Sequence, residues 1–137
     1  MSAEGVVALR EEHKGIVQRL AIIERCVNAP GFNEKKFRES VATLGVQLRE
    51  HFKHEERVVY EPLNSRLKGS SPTKELIEEH GSIWKAFDKL GETNLTKNAR
   101  VISSAQLKVN LSSLQLALGK HLKKEERLVF WLADCLL

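Results

Sequence analysis

The chain has 137 residues, 42% hydrophobic and 29% charged, with a formal net charge of +4 and a sequence pI near 9.2. That is the length of one ordinary domain (1–137), long enough to bury a core, and too apolar for a disordered chain. No apolar run approaches the ~18–20 residues of a membrane span, so no membrane is expected as a partner. The basic residues alternate with acids, as in Glu34-Lys35-Lys36-Phe37-Arg38-Glu39, which describes solvated helix faces and not a nucleic-acid surface. The N-terminal apolar run is too short for a secretion signal, and Cys26 and Cys135 form no CxxC pair, so the expected compartment is the cytoplasm.

With three Pro and eight Gly against abundant Leu, Glu, Lys and Ala, long helices are expected. The first spans about Ala3 to Val27, with Val6, Leu9, His13, Ile16, Leu20 and Ile23 stepping by three and four along one seam. Asn28-Ala29-Pro30-Gly31 ends it. The second runs from Asn33, an N-cap candidate, to about Leu67, with Leu44, Leu48, His51, Glu55, Val58 and Pro62 on its seam; a kink or an early end is expected at Pro62. After Lys68-Gly69-Ser70-Ser71-Pro72, the third runs from Ser71 or Thr73 to about Leu90, with Leu76, His80, Ile83, Phe87 and Leu90 on its seam. The fourth runs from Lys97 or Arg100 to Asp134, with Leu107, Leu111, Leu114, Leu118, His121, Glu125, Leu128 and Leu132. The expected fold is all-α, an antiparallel up-down-up-down four-helix bundle.

The chain also repeats itself. Glu11-Glu12-His13 matches Glu78-Glu79-His80, and His51-Phe52-Lys53-His54-Glu55-Glu56-Arg57 matches His121-Leu122-Lys123-Lys124-Glu125-Glu126-Arg127. One helical hairpin echoes the other, which predicts a pseudo-two-fold axis. Four of the five histidines, His13, His51, His80 and His121, fall on seams, one per helix. Two of them carry a seam carboxylate at i+4, Glu55 and Glu125, where two side chains share a helix face. His13 and His51 lie at matched distances from the first turn, roughly 23–26 Å at 1.5 Å per residue. Six polar groups thus share one layer of a hydrophobic interior. Unpartnered buried carboxylates are costly, and a bound cation turns that cost into coordination.

Imidazole with carboxylate suits iron, zinc or manganese. Four His and two Glu exceed the need of one tetrahedral zinc, whereas two shared carboxylates and two His per ion describe a dinuclear centre with open positions. Ferritin-like di-iron bundles use Glu-x-x-His, and no His here has Glu three residues before it. His54 matches Lys124 in the repeat and is read as solvated or supporting. Tyr60, five residues beyond Glu55, falls slightly off the seam and is not assigned to the site. Phe130 and Trp131 belong either to the core or to a dimer contact.

The set His13, His51-x-x-x-Glu55, His80 and His121-x-x-x-Glu125 resembles the hemerythrin-like domain, also called the HHE cation-binding domain, over essentially the whole chain. The resemblance implies a four-helix bundle holding two non-haem iron ions, with the four His as terminal ligands and Glu55 and Glu125 as bridges. In this family the last carboxylate also occurs at i+5, so Glu126 competes with Glu125; the internal repeat favours Glu125. Oxygen-carrying hemerythrins have a further His one turn beyond the third-helix His, where this chain has Trp84. The function implied is binding of dioxygen or a related small molecule (nitric oxide, peroxide) for sensing, storage or detoxification. The alternatives are a di-iron peroxidase or oxidase, an iron-dependent repair factor, and an iron-responsive regulatory module.

Overall fold

A computed structural model describes residues 3–67, 73–92, 100–131 and 135, with the backbone alone for 3, 4, 100–104, 128 and 129. Helix α1 spans Ala3–Asn28 and α2 spans Glu34–Glu55. A π-helical turn, Glu56–Tyr60, then leads without a break into α3, Glu61–Arg66. Helix α4 spans Lys74–Glu92 and α5 spans Arg100–Lys124, followed by a second π turn, Glu125–Val129. Helix α1 packs on α2 and α5, and α4 packs on α5 and α2, which closes a four-cornered bundle. Among the described residues there is no strand, and no helix is long and apolar enough to cross a membrane. Cys26 is buried, Cys135 is exposed, and both are free thiols.

The seams bury largely as their periodicity predicts, with Phe87 of α4 only half-buried. Val6, Leu9, His13, Ile16, Leu20 and Ile23 of α1 are all buried, as are Leu107, Leu111, Leu114, Leu118, His121 and Glu125 toward the fourth corner. Asn33 caps α2, its side-chain oxygen accepting the Lys36 N–H at 3.0 Å. Seventeen buried residues, from Ile16 through Leu122, form the main core on the loop side of the histidine layer. Across that layer a smaller cluster joins Val6, Leu9, Val59, Tyr60, Leu63, Leu76 and Phe130. The polar layer is therefore sealed by apolar side chains above and below.

The second helix departs from the expected pattern beyond Glu55. Pro62 neither ends nor breaks it: helical backbone continues to Arg66, and Val58 and Pro62 are only half-buried while Val59, Tyr60 and Leu63 are buried. The cause lies upstream of the proline. The Glu61 N–H donates to the Glu56 carbonyl, an i+5 bond that takes one extra residue into the turn. Each residue beyond it points where its predecessor would have pointed, a rotation of about 100°. The second π turn does the same, with the Phe130 N–H donating to the Glu125 carbonyl. Phe130 is accordingly core, and Trp131 is 60% exposed. Leu128 has no described side chain, and Leu132 and Asp134 lie outside the described residues.

Candidate metal centre

Each corner of the bundle supplies one imidazole to the buried layer. The His13 and His51 rings meet edge-on at 4.6 Å between centroids, and His80 and His121 at 4.8 Å. Glu55 and Glu125 project from the ends of the second and fourth helices between these pairs and are fully buried. His51 Nε2 lies 3.1 Å from Glu55 Oε2, and His121 Nε2 lies 3.1 Å from Glu125 Oε1, each an i+4 pair on one helix face. Across helices, His80 Nε2 is 3.2 Å from Glu55 Oε1, and His13 Nε2 is 3.5 Å from Glu125 Oε1. The result is two groups of four donors, His13 with His51 and His80 with His121, which share both carboxylates. Within each group the donor atoms lie within 4.8 Å of one another.

Most of these donors make no hydrogen bond within the protein. His13 Nε2, His51 Nε2, both Glu55 oxygens and Glu125 Oε1 are buried and make no hydrogen bond. His80 Nε2 and His121 Nε2 face each other at 3.1 Å. Burial, then the neighbouring His121, pushes the His80 imidazole down to about 3, so at neutral pH it is an uncharged donor of a lone pair. His13 goes the other way: burial opposes its charged form, but the Glu125 and Glu55 carboxylates outweigh it and raise its pKa. Burial, then Glu125, pushes Glu55 well above the carboxylate range. Burial also works against an ionised Glu125, but the neighbouring Glu55 carboxyl and His121 imidazole hold it well below. Without a cation the opposite shifts leave Glu55 protonated and Glu125 ionised, the expected response of two like charges taken out of water together. Chemically, the donor set fits a hard-to-borderline cation at each group.

The far ring nitrogens explain why the Nε2 atoms point inward. His51 Nδ1–H donates to Glu12 Oε1 at 2.7 Å, and His121 Nδ1–H donates to Glu79 Oε1 at 2.9 Å. His13 Nδ1 is 3.3 Å from Glu126 Oε1, and His80 Nδ1 is 3.5 Å from Glu56 Oε1. A carboxylate only accepts, so at His51 and His121 it fixes the proton on Nδ1 and leaves the lone pair on Nε2, toward the interior. The other oxygens of Glu12 and Glu79 are held by basic groups: Glu12 Oε2 accepts from His54 Nδ1 at 2.8 Å, and Glu79 Oε2 from Lys124 Nζ at 2.5 Å. His54 therefore supports the site through Glu12. Of the two competing carboxylates in the fourth corner, Glu125 is inside and Glu126 is half-exposed behind His13.

Three of these groups escape a reading of the seam. Glu12 and Glu79 precede their own helix's His and are turned about 100° from the seam, toward the neighbouring helix. Their signal was the repeated Glu-His step at 12–13 and 79–80. Tyr60 is the third. Its hydroxyl donates a hydrogen bond to Glu125 Oε2, and its ring stacks on His80 at 5.8 Å. Burial, then the Glu55 and Glu125 charges, pushes the phenol far up, so it stays a donor. Trp84 is half-buried and meets Phe52 and Phe87 edge-on, at 5.9 and 5.4 Å, while Phe52 lies flat on His80 at 3.8 Å.

Glu12→Ala is expected to weaken cation binding about 10–100-fold, because His51 loses the acceptor that orients it. His54→Ala should cost only a few-fold, since Glu12 keeps its bond to His51. Competition with a coloured chelator measures both; equal losses would show that Glu12 is held by His54 and not by His51.

A helical bundle whose buried layer pairs imidazoles around shared carboxylates defines a class of cation-binding protein. Comparison with protein families agrees: the family model described as the hemerythrin HHE cation-binding domain matches residues 4–133. The chain belongs to that family. Among curated proteins, and among solved structures, none matches it.

Proposed function

We propose that the chain is a non-haem di-iron protein of the cytoplasm that binds dioxygen or a related small molecule, nitric oxide or peroxide. Its use would be sensing, storage or detoxification. The observation that carries the reading is the pair of four-donor groups, His13/His51 and His80/His121, sharing Glu55 and Glu125. When bound, two ferrous ions supply two electrons and coordination positions left open by the four protein donors. The residues of the chain do the rest. Glu12 and Glu79 orient imidazoles, and Glu55 and Glu125 balance the added positive charge. The apolar clusters on either side keep bulk water out. Trp84 stands where the oxygen carriers have another imidazole, so the His80 group has no more nitrogen donors than the His13 group. That composition supports reaction with, or sensing of, a small molecule over long-lived oxygen carriage.

The test is anaerobic loading with ferrous iron, metal analysis, and optical spectra before and after air or nitric oxide. The expected result is close to two irons per chain and a new visible band on exposure. One ion per chain, or zinc preferred at equal iron, overturns the di-iron reading. Sustained turnover of peroxide would place the chain with the enzymatic alternative.

A further inference from the structure

The donors and their supporting glutamates in the two halves match through the repeat, His51 with His121 and Glu12 with Glu79. One matched pair differs by a single oxygen. Tyr60 and Phe130 occupy corresponding places after the two π turns. Tyr60 lies over His80 with ring centroids 5.8 Å apart at 28°, and Phe130 lies over His13 at 5.2 Å and 28°. Only Tyr60 has a hydroxyl, and it donates to Glu125 Oε2.

The consequence is that the two carboxylates are not equivalent. Glu55 offers a separate oxygen to each half, Oε2 to His51 at 3.1 Å and Oε1 to His80 at 3.2 Å, and neither oxygen is hydrogen-bonded. Glu125 offers one oxygen to both halves, Oε1 lying 3.1 Å from His121 Nε2 and 3.5 Å from His13 Nε2. Its other oxygen is taken by the phenol, on the His80 side. A donor bound to a carboxylate draws charge from the oxygen it holds and fixes its direction.

We propose that Tyr60 is a positioning residue that makes the two cation positions unequal. Acting through Glu125, it leaves the His13/His51 half to fill first. The His80/His121 half fills second, more weakly. The inference rests on the paired-site reading above and adds an order of filling to it.

Cobalt(II), which suits the same donors and does not react with air on this timescale, is the probe. Calorimetric titration of the metal-free wild type should show two ions per chain, in steps separated by about tenfold or more, the scale of one hydrogen bond to a charged group. In Tyr60→Phe, which removes the hydroxyl that only one half has, the separation should collapse to less than about threefold. In Tyr60→Phe/Phe130→Tyr it should return with the order reversed. His80→Ala reads that order: it should spare the tight step in the wild-type background and remove it in the exchanged one. Thermal melts of the metal-free proteins establish that each variant folds, and should the double variant not fold, Tyr60→Phe against wild type decides alone. A general loss of stability weakens both steps and leaves their separation unchanged. Two equal steps in the wild type, or an undiminished separation in Tyr60→Phe, overturn the inference and leave the paired site standing. A wild-type stoichiometry of one overturns both.

Discussion

Glu55→Leu should abolish binding of both cations and, in the metal-free protein, raise stability by roughly 1–3 kcal/mol. Glu55 belongs to both donor groups, so its loss removes a shared carboxylate from each half at once. Without a cation, its two oxygens are buried and make no hydrogen bond. That is a desolvation cost without return, and a leucine of similar volume removes it while adding apolar contact. The gain should depend on pH. The Glu55 carboxyl titrates above its ordinary value of 4.5 in the folded state, pushed up by burial and then by Glu125. Between 4.5 and that raised value the folded chain holds a proton that the unfolded chain has lost, so wild-type stability falls as pH rises through the window. The leucine variant lacks this loss, and its advantage should be larger at pH 7.5 than at pH 4.5. Urea melts of chelated wild type and variant at the two pH values measure it. A metal-free variant clearly less stable than wild type would mean that Glu55 has a structural partner; residual binding of two ions would mean that it is no ligand.

Loss of a histidine should act on one half only. His51→Ala and His121→Ala are each expected to lower iron loading from two ions to about one, because each imidazole belongs to a single donor group. The double variant should retain none. Each substitution also leaves Glu12 or Glu79 without the N–H that it accepts from the buried ring, though both glutamates keep a second basic partner in His54 and Lys124. The bundle should therefore stay folded while the half-site empties. Metal analysis after anaerobic loading, with circular dichroism to follow helicity, gives the result. Complete loss of metal from either single variant would show that the two halves do not bind independently.

Much of this arrangement was legible along the chain, and for a definite reason. The 3.6-residue period puts residues three and four apart on one face, so one His per seam, Glu at i+4 and the Asn33 cap are local facts that survive into the fold. The repeat added the two-fold relation and favoured Glu125 over Glu126. Tertiary structure decided what lies off that period. In the π turns an i+5 bond takes in one more residue, which brings Tyr60, Leu63 and Phe130 inside and leaves Val58 and Pro62 half-covered. No spacing rule within one helix announces where such a turn falls. Nor does a helix record its neighbour: Glu12 finds His51, and Glu79 finds His121, only because α1 lies against α2 and α4 against α5. Seam periodicity is a property of one helix, whereas the hydrogen bonds that aim the imidazoles, and the one from the Tyr60 phenol to Glu125, join residues from different helices and exist only once the bundle has closed.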